Sequence, residues 1–337
     1  MSGSIRTVLG DIDPSDLGVT YAHEHLIIDS PLIVERWPHI HLYSVEDAVN
    51  ELEECRAAGV SAVVDAMPAA SGRDPVRLAE ISRRSGISIV ACTGLHTSKY
   101  YEGQPWTVEE SPDLLAGRFT ADVEEGIDRY DYLGSAIDRT SIRAGILKVA
   151  VLEDAPTDRD RRVFEAAAVT HAATGVPILT HCERGVGAIE QVELLTELGV
   201  PLDRVVISHT DKIADLAYHR DLLEAGVFLE YDQALRQGEG ARDGTGRIVA
   251  AMVEEGFAGQ VMLATDGARR SLWSVYGGLG LAWLAIRFVE ILEDLGLDDE
   301  AVRTMLVSNP ARFLAFDSPP FGGKVPQRRS RWGRGDR

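Results

Sequence analysis

The segment VPILTHCERGVGAIEQVELLTELGVPLDRVVISH, residues 176–209, contains the pattern on which the fold depends. It begins with a short apolar run that ends in a histidine and continues through a polar loop into a stretch with helical periodicity. A second apolar run, also ending in a histidine, follows. Strands that are apolar at nearly every position and alternate with helices are typical of a parallel sheet covered on both faces. The segment therefore predicts a strand–helix–strand unit.

The same unit extends outward in both directions along the chain. Apolar runs predicted as strands occupy residues 19–25, 60–65, 87–92, 144–149, 176–181, 205–209, 227–232 and 261–266. Helical periodicity marks residues 45–58, 161–173, 189–198, 213–224 and 248–255, and two further helices are predicted at 278–295 and 298–316. The eight apolar runs, each predicted as a strand, predict closure into a TIM (β/α)₈ barrel. This barrel would be a single α/β domain over residues 1–316.

Glycines mark the ends of several predicted helices. In RSGISIV (84–90) and ATGVPIL (173–179), a glycine is followed directly by the next strand. Glycine readily takes the left-handed conformation that ends a helix, so this pattern fits helix-to-strand connections. An open doubly wound sheet is the alternative, but its glycine-rich turn after the first strand is absent from AHEHLIIDS (22–30).

The composition indicates a globular protein of 337 residues with a formal net charge of −19. A field of this sign repels nucleic acid and anionic membranes, so neither is expected as a partner and a small-molecule substrate is. No apolar stretch approaches the roughly 20 residues of a membrane span, and MSGSIRTVLGD lacks the apolar core of a signal peptide. The three cysteines lack the CxxC spacing of a structural zinc site or a redox pair, which fits a reducing compartment. A cytoplasmic protein is therefore predicted. Residues 317–337, rich in Pro, Gly and Arg, are predicted to form a disordered tail.

Polar side chains stand at the C-terminal ends of five predicted strands, which in a barrel face one shared cup. They are His23 and His25 on the first strand, Lys148 on the fourth, His181 on the fifth, His209 on the sixth and Asp266 on the eighth. Imidazole and carboxylate are the expected ligands of zinc and similar ions. A lone buried histidine or lysine is usually an ordinary hydrogen-bonded core residue, but that interpretation explains the whole set poorly.

Lys148 fits a cationic site only in a modified form. Its amine can react with CO₂ to give a carbamate, N6-carboxylysine, which is an anionic ligand with two oxygens able to bridge two metals. The bridged pair would hold a hydroxide, because metal ions lower the pKa of bound water toward neutrality. The sequence therefore predicts two divalent metal ions and CO₂ as the cofactors.

On these residues the chain resembles the phosphotriesterase-like family of the amidohydrolase superfamily. The resemblance runs from VLGDIDPSDLGVTYAHEHLIID (8–29) to SNPARFLAF (308–316). It implies that His23, His25 and Asp266 bind the more buried metal, that His181 and His209 bind the more exposed one, and that carboxylated Lys148 bridges them. It implies zinc first, with manganese or cobalt as substitutes. Relatives are frequently homodimers, which leaves a homodimer open for this chain.

The resemblance implies a metal-dependent hydrolase in which the bridging hydroxide attacks the substrate and Asp266 is the catalytic proton acceptor. Efficient phosphotriesterases of this family often carry a histidine after an aspartate just past the seventh strand, where this chain has Gln233 after Asp232. A lactonase or carboxylic-ester hydrolase is therefore favoured. The alternatives are an N-acyl amide hydrolase, a phosphotriesterase and, in a different class, a non-catalytic ligand-binding barrel.

The long loop after the third predicted strand, residues 93–112, is expected to line the substrate cavity. Lys99, Tyr100 and Tyr101 are its candidate substrate contacts. Either tyrosine would donate a hydrogen bond to a substrate oxygen near the exposed metal. Aromatic packing that only anchors the loop is the alternative interpretation.

Three arginines in the seventh and eighth loops are candidate anion contacts. Arg236, Arg269 and Arg270 could grip a carboxylate or phosphate through paired hydrogen bonds, whereas salt bridging on an acidic protein is the alternative. Relatives acting on phosphorylated lactones carry a Lys-Tyr pair that GEGARDGT (238–245) lacks, which argues against a phosphorylated substrate. Asp211 is predicted to orient a metal ligand.

Overall fold

The computed structural model describes residues 3–317, which form an antiparallel hairpin followed by a parallel barrel. The hairpin strands are β1 (Ile5–Thr7) and β2 (Gly10–Ile12); the barrel strands are β3 (Thr20–Glu24), β4 (Ala62–Asp65), β5 (Ser88–Gly94), β6 (Ile146–Val151), β7 (Ile178–Cys182), β8 (Val205–Ser208), β9 (Phe228–Tyr231) and β10 (Val261–Leu263). Strands β3 to β10 form one eight-stranded sheet in sequence order. The predicted TIM barrel is confirmed, whereas the predicted tail beyond Asp317 lies outside the described residues.

The first and last strands of this sheet meet at their C-terminal ends. The backbone N–H of Asp266 donates to the carbonyl of His23 at 3.0 Å. The N–H groups of Thr265 and Gly267 donate to the carboxylate of Glu24 at 2.9 and 3.2 Å. These bonds join the two edges of the sheet at the end where the predicted metal ligands stand.

Helices and short helical turns surround the sheet. The α-helices are α1 (Pro31–Arg36), α2 (Val45–Ala57), α3 (Pro75–Ser85), α4 (Trp106–Glu109), α5 (Pro112–Glu124), α6 (Asp158–Thr174), α7 (Ala188–Glu197), α8 (Leu216–Ala225), α9 (Ala234–Gln237), α10 (Thr245–Glu254), α11 (Val289–Asp294), α12 (Asp299–Arg303) and α13 (Asn309–Leu314). Gly86 and Gly175 follow α3 and α6 with φ of 73° and 77°, as the glycine pattern predicts. Among residues 3–317, no helix combines the length and apolar character needed to cross a bilayer.

The last two predicted helices differ from the observed ones. The helix predicted at 278–295 begins only around Trp283, and each of the two contains a π-helical turn, Leu284–Phe288 and Thr304–Ser308. A π-turn inserts one extra residue into a helix, which shifts the face that packs on the barrel. Helical periodicity alone does not predict such an insertion.

Apolar side chains fill the barrel interior. They include Ala22, Val64, Val90, Ile146, Leu179, Val206, Phe228 and Met262, while Ile5, Leu17 and Phe313 pack against them. Side chains in a strand alternate between its two faces, so the residue two positions after an interior one also faces inward. Ile146, Leu179 and Phe228 are followed at that spacing by Lys148, His181 and Glu230. The same alternation of side chains that places apolar residues in the core therefore places polar residues at the C-terminal end of the barrel.

Strand β3 departs from this regular alternation. Ala22 belongs to the interior cluster, yet the next residue, His23, also faces the site. The pairing register between β3 and β4 shifts between Tyr21 and Glu24. Such an irregularity re-aims the side chains that follow it, and here it brings His23 into the group at the end of the barrel.

Candidate active site

The side chains predicted as metal ligands meet at the C-terminal end of the barrel. Oδ1 of Asp266 lies 3.5 Å from Nε2 of His25 and 3.9 Å from Nε2 of His23. Next to this group, Nε2 of His209 lies 2.8 Å from Nδ1 of His181, and the rings of His23 and His209 are 5.2 Å apart. Residues from four different strand ends thus converge on one location.

Lys148 belongs to the same group of side chains. Its Nζ lies 3.0 Å from Nε2 of His23, and the residue is 1% exposed. Burial lowers the pKa of Lys148, which enlarges the fraction of neutral amine. The neutral amine is the form that reacts with CO₂, so the environment of Lys148 fits the predicted carbamate.

Each of three histidines has a carboxylate partner on the nitrogen that faces away from its neighbours. Nδ1 of His23 lies 2.8 Å from Glu230, and Nδ1 of His209 lies 2.7 Å from Asp232. Nε2 of His181 lies 2.9 Å from Glu183. A carboxylate paired with one ring nitrogen fixes the tautomer and leaves the other nitrogen with a free lone pair.

This arrangement fits divalent cations. Because the carboxylates take the N–H of His181 and of His209, the two nitrogens that face each other at 2.8 Å both present lone pairs. Two acceptors at that distance repel each other unless a positive charge lies beside them. Imidazole nitrogens bind zinc at about 2.0–2.1 Å, so the group has the donors and the closeness that a bound ion needs.

The pKa directions agree with neutral imidazole ligands and with an ionised carboxylate beside His209. Burial lowers the pKa of His23 and of His25 well below the usual range. Burial and the nearby Asp232 raise the pKa of Glu230, whereas His209 holds the pKa of Asp232 below its ordinary value despite burial. The carboxylate that contacts His209 is therefore the charged member of this acidic pair.

Two site residues have an unusual backbone conformation. His209 has φ of 67° and Asp266 has φ of 43°, in the left-handed region that side chains other than glycine rarely adopt. Each such residue costs about 1–3 kcal/mol and persists only where the surroundings hold it. The backbone at both positions is thus set by the site and not by local preference.

A cavity of about 330 Å³ lies over these side chains. It is lined by His25, Ile28, Ile33, Trp37, His39, Ile40, Met67, Ser71, His96, Lys99, Tyr100, Lys148, His181, Glu183, His209, Lys212, Gln233, Arg236, Asp266, Ala268 and Arg269. Most of these residues are polar or charged, and Ile28, Ile33, Trp37, Ile40 and Met67 supply an apolar part of the wall. The volume suits a compact substrate.

Four of the predicted substrate contacts line this cavity: Lys99, Tyr100, Arg236 and Arg269. Lys99 is paired with Glu183 at 2.6 Å. The guanidinium of Arg236 contacts Oδ2 of Asp266 at 2.8 Å and also donates to the carbonyl of the same residue at 2.7 Å. Arg236 therefore holds Asp266 in place and is not free to grip a substrate anion.

The other two predicted contacts lie outside the cavity lining. Tyr101 is buried, and its hydroxyl accepts the N–H of His96 at 2.6 Å, so it anchors the loop as the packing alternative describes. The guanidinium of Arg270 lies 4.3 Å from the ring centroid of Tyr276. Of the two adjacent arginines, only Arg269 reaches the cavity.

The sequence interpretation did not identify several residues as part of the site. Glu183, Glu230 and Asp232 contact the histidines, and Lys212 lines the cavity. Glu183 stands two residues after His181, so strand alternation was an available signal for it. Asp211, predicted to orient a metal ligand, accepts the N–H groups of Asp232 and Gln233 at 3.1 and 2.8 Å, and Asp232 is the residue that contacts His209.

Comparisons with known proteins extend over nearly all of the described chain. A profile of the phosphotriesterase family matches residues 3–314. A phospho-furanose lactonase from Mycoplasmopsis synoviae (strain 53) is 32% identical over 323 residues, which cover 93% of this chain and 92% of the relative. The crystal structure of an amidohydrolase from Mycoplasma synoviae superposes with a TM-score of 0.89 at 31% identity, covering 94% and 92% of the two chains. The crystal structure of a lactonase from Listeria monocytogenes superposes with a TM-score of 0.85 at 28% identity, and the match covers 93% of this chain and 99% of the lactonase.

Proposed function

Because this chain belongs to the phosphotriesterase family and is a metal-dependent hydrolase, we propose that it hydrolyses a lactone or a closely related carboxylic ester at a binuclear metal centre. The observation that carries the proposal is the convergence of imidazole, carboxylate and buried amine groups beneath one cavity. Separate strands supply these groups, and a purely structural role would not require their closeness.

The proposed ligands fall into two groups. His23, His25 and Asp266 present ligand atoms within 4.8 Å of one another and would hold one ion. His181 and His209 would hold the second, and Lys148 as a carbamate would be shared by both. Zinc is the first choice, with manganese or cobalt as alternatives, because the nitrogen and oxygen donors suit all three. Divalent ions bound by these residues would supply an activated water and would polarise the substrate carbonyl.

The residues of the chain carry the proton and orient the substrate. Asp266 accepts the proton released as water attacks the carbonyl carbon, and Arg236 keeps that carboxylate aimed by the contact at 2.8 Å. Burial raises the pKa of Tyr100, so its hydroxyl stays protonated. Tyr100 can therefore donate a hydrogen bond to the carbonyl oxygen as negative charge develops there.

Two observations favour a lactone over the other substrates. Relatives with this fold carry the names phospho-furanose lactonase and lactonase. Gln233 lines the cavity at the position where efficient phosphotriesterases carry a histidine, and an amide cannot relay a proton as imidazole does. Both observations place the phosphotriester second.

A substrate panel tests the proposal. Protein reconstituted separately with zinc, manganese and cobalt would be assayed on lactones, N-acyl amino acids and phosphotriesters, with a chelator-treated sample as control. We expect the highest kcat/KM on a lactone and loss of activity after chelation. Turnover of the N-acyl panel alone would overturn the substrate class, and equal activity with and without metal would overturn the mechanism. Ligand binding with no turnover on any panel would instead identify a non-catalytic binding barrel.

Arg269 is expected to set the preference for anionic substrates. Within residues 3–317, no carboxylate forms an ion pair with Arg269, unlike Arg236, so its guanidinium is available to a substrate anion. The change Arg269→Met should raise KM about 10–100-fold for a lactone bearing a carboxylate or phosphate, because a charge-assisted hydrogen bond contributes about 1.5–3 kcal/mol. KM for a neutral lactone should stay within about twofold.

The matched control is Arg270→Met, which alters the adjacent arginine that stacks on Tyr276 outside the cavity. This variant should leave both KM values unchanged. If both changes altered KM equally, the effect would come from the general surface charge. Arg269 would then not be a substrate contact.

A further inference from the structure

Glu24, which separates the two histidines of the first barrel strand, has an unexpected set of partners. It is fully buried, and its carboxylate accepts the hydroxyl of Thr265 at 2.5 Å and the backbone N–H of the same residue at 2.9 Å. It also accepts the N–H of Gly267 at 3.2 Å. These donors belong to the two residues on either side of Asp266.

The backbone of Asp266 needs this support. Its φ of 43° is unfavourable for an aspartate, so the residue keeps that conformation only if its neighbours are held. Glu24 fixes both flanking residues, and the N–H of Asp266 donates to His23 O at 3.0 Å. Four hydrogen bonds thus join residues 265–267 to residues 23 and 24.

We propose that Glu24 is a positioning residue that holds Asp266 in its strained backbone conformation and so aims its carboxylate at the metal site. The inference rests on the proposed function for the role of Asp266. Glu24 itself is not among the residues that line the cavity. Its contribution is to keep the Asp266 carboxylate in register with His23 and His25, from which its Oδ1 lies 3.9 and 3.5 Å away.

A second buried carboxylate, which also binds the eighth loop, the segment that follows β10, provides a matched control. Glu51 of α2 is also fully buried and accepts the N–H groups of Ser274 and Leu281 at 2.9 and 2.7 Å. It anchors the far part of the eighth loop but has no contact with Thr265, Asp266 or Gly267 among the interactions of residues 3–317. Loss of either carboxylate removes several buried hydrogen bonds, so both changes should lower the thermal stability.

The test compares Glu24→Gln with Glu51→Gln in the metal-loaded protein. Glutamine keeps the shape of the side chain but replaces one acceptor oxygen by an NH₂ group, which cannot accept the N–H of Thr265 or Gly267. We expect Glu24→Gln to lower kcat about 100-fold with KM within about twofold, since a displacement of about 1 Å in a catalytic group has that effect. The rate of metal release to a chelator should rise about tenfold or more, because a mutated supporting partner typically weakens metal affinity 10–100-fold. Glu51→Gln should change kcat and the release rate less than about twofold relative to the wild type, whatever its melting temperature.

A milder variant keeps the proposal testable if Glu24→Gln does not fold. Thr265→Val removes one hydroxyl donor at nearly constant volume and should change kcat and metal release in the same direction, to a smaller extent. Wild-type metal release from Glu24→Gln or Thr265→Val, or an equal increase in Glu51→Gln, would overturn the positioning role. The rate of metal release is measured without substrate. It therefore tests the positioning role of Glu24 even if no lactone is hydrolysed and the proposed function is abandoned.

Discussion

Replacing Asp266 by asparagine is expected to lower kcat by about 10²–10⁴-fold, the usual contribution of a positioned proton acceptor. The two oxygens of the Asp266 carboxylate have different neighbours. Oδ1 lies 3.5 Å from Nε2 of His25, and Oδ2 contacts Arg236 at 2.8 Å. Asparagine retains one oxygen that can face the metal, but its amide cannot take up a proton at neutral pH. The variant should therefore retain much of its metal while losing turnover.

The measurement pairs steady-state kinetics with elemental analysis of the same samples. Asp29→Asn is a suitable control, because Asp29 pairs with His41 and Arg77 and is not among the cavity residues. The control should match the wild type in kcat and in metal per chain. A near-normal kcat for the Asp266 variant would remove the role of proton acceptor. Complete loss of metal would show that the residue acts as a ligand before it acts as a base.

The sequence predicts the barrel well because its signal is local. Each barrel strand is buried on both faces, so every one appears as an apolar run, and the observed strand β7 (Ile178–Cys182) differs from the predicted run at 176–181 by only a few residues. The short hairpin β1–β2 was not predicted. Each of its strands has three residues, and β2 is largely exposed, so neither gives a clear hydrophobic pattern.

The partners of the metal-site histidines could not be predicted in the same way. His23 meets Glu230, which is 207 positions away in the chain, and His209 meets Asp232 across two adjacent strands. Both contacts depend on strand register, and that of His23 also depends on the register shift in β3. Hydrophobic periodicity reports neither feature. Strand alternation alone places Glu24 on the side opposite His23 and His25, and the barrel structure is needed to show that this side faces Thr265.

The loops show a further limit of sequence interpretation. Aromatic residues near the site suggest substrate contacts, yet adjacent tyrosines have different roles here: Tyr100 lines the cavity and Tyr101 accepts a backbone hydrogen bond from His96. Neighbouring residues in a short helical turn point in different directions. The choice between them is made by the packing of the loop, and composition does not contain that information.

Lys148→Met is expected to reduce the bound metal from two ions per chain to one or none and to lower kcat by more than about 10³-fold, consistent with the loss of a metal ion that activates water. Methionine fills a similar volume without an amine, so it cannot form a carbamate, and a thioether offers no anionic oxygen to share between two ions. His23, whose Nε2 lies 3.0 Å from Nζ of Lys148, would lose its neighbour in the site. The measurement is metal content together with kcat on the best substrate of the panel.

The carbamate itself can be observed independently of activity. Wild-type protein reconstituted with metal in ¹³C-bicarbonate should show one carbonyl resonance of a carboxylated lysine, and Lys148→Met should lack it. Lys99→Met is the matched control for this signal, because it alters another lysine of the same cavity that is paired with Glu183. A carbamate signal that survives in Lys148→Met, or a variant that keeps two metals, would contradict the bridging role. If instead the signal and the second ion disappear together, the buried amine of Lys148 is the group that makes the site binuclear, since the histidines and Asp266 remain unchanged in that variant.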